Sequence, residues 1–375
     1  MTKKRHLHLG LGRFHRAHQA YYLQNSNFLI TAFSMRSDTE ARALQEAGHV
    51  YELLVCGEGR QENQSFAVID EALFIDESTE RFWELIENPE IRTLSLTVTE
   101  KGYNLEGKVV SLLVEGFCRR QAQHSKPLNV LSCDNLNGNG DFLKELCMNC
   151  CEAQALSCDF SLLAFPNSMV DRIVPSGESP LVIKTETFHQ WVLEDRFLGE
   201  RPDWEQPGLM FVDSVEPFEK IKLSLLNASH SFLAYYGQLQ GYEFVHEAIA
   251  DKTVRSLVEK LYFEEVGPLL KIPAPLKLRR YGDALLARFD NPDLPHRLDQ
   301  IAMDGSVKIP QRFLPYLKES SVLQLALKSW YEYMYLAVSG KKKFRVSDPK
   351  AEEMAAVLGS NFDETKLVWS ELLGF

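Results

Sequence analysis

The sequence is that of an α/β chain in two parts, an open parallel sheet with helices followed by a mainly α-helical half. Three observations predict it. Short β-rich runs alternate with helical segments from His6-Leu7-His8-Leu9 onward, as in strand–helix–strand units on a parallel sheet. The first run ends in Gly10-Leu11-Gly12-Arg13-Phe14-His15 and enters a helical segment, the arrangement that sets a phosphate on a helix N-terminus. From Glu219 the apolar spacing is helical almost throughout.

With 375 residues there is room for two sizeable cores. The junction is placed near Asp213, giving a dinucleotide-binding part, 1–213, and a substrate and catalytic part, 214–375. A formal charge of −11 argues against a nucleic-acid surface. The basic start lacks the apolar run of a secretory leader, and no stretch has the length of a membrane span, so a cytoplasmic protein is expected. Seven cysteines then read as reduced thiols. Cys147, Cys150 and Cys151 form a Cx2CC group without a second ligand pair at zinc spacing, so no metal is expected.

In chain order, 16–24 reads as helix, 27–34 as the second strand and 39–48 as helix, with Ser37 and Asp38 as cap candidates. Strands are expected at 51–55, 65–74, 93–99, 128–131 and 160–165, and a helix at Thr79–Glu87. His15 replaces the third glycine of G-x-G-x-x-G, and His15 and His18, which flank the turn, read as capping and packing around the cofactor. Ligands of such sheets lie beyond the C-terminal strand ends. Those ends supply Gly10, Gly12 and Phe14, then Arg36 and Asp38, then Thr99 and Lys101, as cofactor-binding candidates. An acidic residue after the second strand suits the ribose of NAD and an arginine suits NADP. Both are present, and the reading favours NAD through Asp38.

In the second half, Lys222, Asn227 and His230 stand at K-x4-N-x2-H spacing. On a helix turning about 100° per residue they share an arc of roughly 140° with Glu219. An ordinary buried stripe would be apolar, so this helix reads as lining a polar cleft. Further helices are expected at 245–250, 253–263, 281–288, 320–339, 351–358 and 365–373. Asp304-Gly305-Ser306 reads as a turn, and Lys308 and Arg312 after it are candidates for a substrate carboxylate or phosphate.

Six stretches taken together are GLGRFHRAHQAYY, TVTEKGY, SCDNLNGNG, FPNSMVDRIVP, KLSLLNASHSFLAYYGQLQGY and DGSVKIPQR. In that order the chain resembles the mannitol dehydrogenase family, the polyol-specific long-chain dehydrogenases and reductases. The resemblance implies a Rossmann-like first domain, a helical second domain and a metal-independent active site between them. It implies Lys222 as general base, Asn135 and Asn227 as the oxyanion pair, and His230 as the residue that positions substrate hydroxyls. It also implies Asp171 in the site and Glu219 as a proton relay. The chain departs from the family in its shorter length and in Met303, where an arginine is usual before DGS.

The residues suit that chemistry. Oxidising a secondary alcohol needs a base for the hydroxyl proton, and a lysine serves once burial or neighbouring charge lowers its pKa. Two amide NH2 groups hold the developing alkoxide without a proton to remove. Singly, Lys222 reads as a surface lysine, Asn135 as a turn residue, His230 as a structural histidine and Asp171 with Arg172 as an ion pair. The joint occurrence carries the functional reading. The expectation is an NAD(P)-dependent oxidoreductase of a polyol or reduced sugar acid, of mannitol/fructose or mannonate/fructuronate type. The expected cofactor is NAD, with NADP not excluded, in a monomer or small homo-oligomer without nucleic-acid or membrane partners. The alternative is a silent nucleotide-binding sensor of the same fold.

Overall fold

In a computed structural model, residues 3–57, 59–99, 102–105, 107–204 and 206–374 are described. The chain forms two compact units, Met1–Glu216 and Pro217–Phe375.

The first unit is built on a six-stranded parallel sheet. Its strands are β1 (Lys4–Leu9), β2 (Phe28–Ser34), β5 (Ile69–Phe74), β6 (Thr93–Leu96), β7 (Leu128–Ser132) and β8 (Leu163–Ala164), in the order β5-β2-β1-β6-β7-β8. The chain winds outward from β1 through β2 to β5, then crosses back to place β6 on the other side of β1. The switch point therefore lies between β1 and β6, where such sheets bind ligands.

Helices α1 (Arg13–Ala17), α2 (Gln19–Leu23) and α3 (Thr39–Glu46) belong to one core layer, with Leu11, Ala17, Tyr22, Ile30 and Leu44. Helices α4 (Thr79–Glu87), α5 (Lys108–Gln123) and α6 (Asn139–Ala153) belong to the other, with Leu7, Leu9, Phe82, Leu113 and Phe117. In α5, Val109, Val110, Leu113, Val114 and Phe117 recur at helical spacing and are buried, so this face docks on the sheet. Strand alternation sends Leu7 and Leu9 to that face and His6 and His8 to the opposite one.

Several expected elements differ. The strand expected at 65–74 is two, because β4 (Arg60–Phe66) turns back antiparallel on β3 (Tyr51–Gly57). With β10 (Val182–Glu186) these make a separate sheet, and β9 (Ser168–Asp171), β11 (Gln190–Glu194) and β12 (Leu209–Val212) make a third. The run at 93–99 stops at Leu96, and Thr99 takes a left-handed φ of 64°. The helix at 16–24 starts earlier and breaks at His18. The strand at 160–165 shrinks to Leu163–Ala164 behind a 3-10 turn.

In the second unit a helix runs over 216–240. Two π-helical segments, Lys222–Asn227 and Leu233–Gly237, interrupt it, and Gly241 ends it at φ 95°. Leu225, Phe232, Leu233 and Tyr235 pack against Leu261, Tyr262, Leu298 and Trp330 from the surrounding helices. The expected Asp304-Gly305-Ser306 turn instead opens a helix, Gly305–Arg312, despite Pro310 inside it. A Cβ on Gly305 would stand 2.3 Å from Trp330 Nε1 and 2.6 Å from the Tyr235 hydroxyl, so only glycine fits there.

Candidate active site

The turn after β1 is fixed by close approach. Gly10 has φ 105°, and a Cβ there would meet the Thr97 carbonyl oxygen at 2.0 Å. Gly10 and Leu11 N–H groups donate to Phe33 O at 2.8 and 3.1 Å, which ties the turn to the end of β2. Gly12 caps α1, and the nearest atom to a Cβ there is 3.8 Å away. Open space in front of a helix start is what a dinucleotide phosphate needs. Phe14 stacks on His18, with centroids 5.0 Å apart.

Under the turn lies a buried polar cluster. His6 bonds Thr93 and Ser95, each at 2.7 Å, and His8 bonds Ser95 at 2.6 Å and Thr97 at 3.0 Å. Burial lowers the His6 pKa to about 3 and pushes those of His8 and His15 well below the ordinary value. His18 shares two bonds, with Gln190 O and Gln19. His15 and His18 are both buried beneath the turn.

The loops after β6 and β7 are fastened together by Asp134. Its carboxylate accepts from Val98 N, Thr99 N and the Tyr103 hydroxyl at 2.9, 2.8 and 2.7 Å. Asn135, next in sequence, is exposed on that loop. Asn139 Nδ2 donates to Asp134 O and Ser168 O, and its Oδ1 accepts from Ser168 N. This joins the loop to β9, whose last residue is the buried Asp171. Arg172 does not simply pair with its neighbour: its guanidinium donates to Ala17 O and Glu186 O and lies over the Tyr21 ring. The anchoring roles of Asp134 and Asn139 were missed in the sequence, although both stand within four residues of Asn135.

At the end of β2, Arg36 Nη2 donates to Thr99 Oγ1 at 3.0 Å. Asp38 precedes α3 without capping it through its side chain. It pairs with Arg42, whose hydrogen bond holds the carboxylate below its usual range. Lys101, with Glu100 before it, lies outside the described residues.

In the second unit Lys222, Asn227 and His230 are all buried on one helix. A π-turn closes i to i+5, so Asn227 stands about one turn beyond Lys222 rather than rotated away from it. The Ala228 N–H bonded to Leu223 O is such a closure. The 100° periodicity therefore understates how well these two side chains align. Ser229 is fixed by Leu225 O and the Tyr262 hydroxyl, each at 2.6 Å.

The His230 ring lies 4.7 Å from that of Phe289 and 5.5 Å from that of His296. Burial first, then the repulsion that a proton would meet from His296, Arg288, Arg312 and Lys222 when they are charged, pushes its pKa well below the ordinary value. His230 is thus a neutral imidazole. Among the described residues its Nε2 is buried with no hydrogen-bond partner.

Arg312 Nη1 donates to Ser231 Oγ at 2.8 Å and, more weakly, to Asn227 O at 3.3 Å. Lys308 Nζ donates to Met303 O at 2.6 Å and, more weakly, to Ile301 O at 3.4 Å. Glu219 is half-buried at the start of this helix. Arg288 and His296 were not singled out in the sequence, because they lie far from the motif and reach His230 only through folding. Among the described residues no group of histidine, cysteine or acidic side chains is arranged to hold a metal. Cys147, Cys150 and Cys151 are free thiols buried on α6.

A doubly wound parallel sheet with a glycine turn at its switch point, joined to a helical unit carrying a buried lysine, amide and imidazole, defines the Rossmann-type dehydrogenase class. Within that class the chain belongs to the mannitol dehydrogenase family. The Rossmann domain of that family matches residues 4–206 and its C-terminal domain residues 214–368. The D-mannonate oxidoreductase of Escherichia coli K12 is 33% identical, over 91% of this chain and 80% of its own length. The mannitol 2-dehydrogenase of Phaeosphaeria nodorum is 32% identical, over 93% and 72%. The structure of Pseudomonas fluorescens mannitol 2-dehydrogenase in ternary complex with NAD and D-mannitol is similar at a TM-score of 0.79 and 28% identity, covering 99% of this chain and 88% of that one.

Proposed function

We propose that this chain is an NAD-dependent oxidoreductase that interconverts a polyol or reduced sugar acid and its keto form, with Lys222 as the general base. The observation that carries the reading is the buried set of Lys222, Asn227 and His230 on a π-distorted helix. Support for the cofactor comes from the cradle at Gly12, which a Cβ would fill, and from the NAD in the Pseudomonas relative. Gly12 and the start of α1 would hold the NAD pyrophosphate, and the group would supply a hydride acceptor for the carbinol carbon.

The remaining work falls to side chains. Lys222 Nζ takes the hydroxyl proton as the carbon–hydrogen bond breaks, and Glu219 is assigned to pass it to water. The Asn227 and Asn135 amides donate to the developing alkoxide. His230, neutral and with Nε2 unpartnered, orients a neighbouring hydroxyl. Asp171 belongs to the same assignment as a buried carboxylate. Arg312 and Lys308 are assigned to the substrate as well. Thr99 and Arg36 are assigned to the cofactor, with Asp38 and Lys101.

The experiment is a panel of mannitol, sorbitol, mannonate and their keto partners with NAD and NADP, followed through absorbance of the reduced nicotinamide. Turnover that Lys222→Ala abolishes is expected. A panel without turnover by the folded protein, alongside tight cofactor binding, would instead favour the silent sensor.

A further inference from the structure

At the end of the six-stranded sheet where β1, β6 and β7 begin, away from Gly10, a cavity of about 400 Å3 opens. That volume lies within the range of small-molecule sites. Lys4, Arg92 and Lys126 line it together with apolar walls from Phe28, Leu198 and Pro202. A cationic grouping in a chain of net charge −11 is not what average composition supplies.

Other cations near it are already engaged. Arg5 is held by Asp70 at 2.8 Å, and Arg201 by Asp195 at 2.9 Å. Lys4 lies 5.9 Å over the Phe28 ring and has a loose acidic neighbour, Glu200 at 3.8 Å, whose side chain is 86% exposed. The head groups of Arg92 and Lys126 make no hydrogen bond or ion pair among the described residues. Neither is needed for the carbonyl groups at this end of the sheet, since Arg120 already donates to Ile86 O, Asn88 O and Ile91 O. Glu90 and Glu200 also border the cavity, so the balance of its lining is positive but not uniformly so.

We propose that this cavity binds the phosphate group of a small phosphorylated molecule, met by Arg92 and Lys126, with the remainder lying against Phe28, Leu198 and Pro202. A planar guanidinium and an ammonium lining one cavity suit a tetrahedral dianion. The site is separate from the glycine turn and does not depend on the assigned reaction.

The test is calorimetric titration of the full chain with inorganic phosphate, comparing wild type with Arg92→Gln/Lys126→Gln. Saturable binding that the double substitution weakens by at least about tenfold, the loss of one charge-assisted contact, is the expected result. Binding that it leaves intact would place the ion elsewhere and overturn the proposal. So would the absence of saturable heat up to about 10 mM, beyond the weakest useful affinities. Circular dichroism checks the fold. If the double variant is unfolded, Lys126→Gln alone carries the same comparison, because Lys126 is exposed.

Discussion

The rings of His8 and His15 lie face to face beneath the glycine turn, with centroids 3.4 Å apart and planes 12° from parallel. Both are buried. Among the described residues no hydrogen bond of ordinary geometry reaches either nitrogen of His15, although Gln19 acts to raise its pKa. Two stacked imidazoles in this setting are stable only as neutral rings, because a proton on one would be desolvated and would face the other.

Acid should therefore unfold this protein early. A histidine whose folded pKa is depressed leaves stability untouched above the unfolded value of about 6.5 and removes it as pH falls below. For His6 the loss continues down to about 3. Each such group contributes a slope of up to ~1.4 kcal/mol per pH unit. Urea unfolding between about pH 7 and pH 5 should show a steep decline, and His15→Phe should flatten it by about one group's share. Stability that stays level over that range would refute the assignment.

Glu265 gives the opposite titration. Burial alone would raise its pKa, but the hydroxyls of Ser320 and Ser321, the Val322 N–H and Lys260 bring it down to about 2. It anchors the first turn of the helix Ser321–Val338. A depressed carboxylate stabilises above its unfolded pKa, and that stabilisation fades as pH falls toward about 2. Glu265→Gln should lose about 1–3 kcal/mol at neutral pH, with the difference narrowing below about pH 4. Parallel denaturant curves at the two pH values measure this directly.

Gly10 and Gly12 should separate folding from cofactor binding. A Cβ at Gly10 collides with Thr97 O, whereas at Gly12 the nearest atom is 3.8 Å away. Gly10→Ala is expected to lower stability by about 1–3 kcal/mol and to weaken NAD binding as well. Gly12→Ala should keep the wild-type melting temperature and lose affinity for NAD by about tenfold or more. Equal NAD affinity in Gly12→Ala would move the cofactor away from this turn.

Lys222 and Asn227 should differ in kind as well as in size. Lys222→Met removes the proposed base, so kcat should fall by about 10²–10⁴ with a smaller change in KM. Asn227→Ala removes one donor to the alkoxide, and a loss of about 10²–10³ in kcat is expected. Wild-type kcat in the folded Lys222 variant would assign the base elsewhere.

Much of this was legible before any coordinates. Alternating strand and helix patterns record burial on one or two faces, a local property, so the parallel sheet and the helical second half could be read directly. Gly10-Leu11-Gly12 was legible for the same reason, since a tight turn restricts residue type at the turn itself. The hairpin of β3 and β4 was not, because a strand's run of residues does not say which neighbour it pairs with. The π-segment at Lys222–Asn227 also escaped, because a single extra residue per turn leaves the apolar spacing nearly helical.

By itself the sequence determined the fold class, the glycine turn and the K-x4-N-x2-H set, all carried by residues close together in the chain. Only tertiary structure decided that Asp134 fastens Val98 and Thr99, that His8 stacks on His15, and that Arg288, His296 and Arg312 surround His230. Except for His8 and His15, these partners lie tens of positions apart in the sequence, and their proximity follows from strand order and helix packing. Spacing along a chain reports a local period, whereas the electrostatics of a site depend on distances that only the packed core sets.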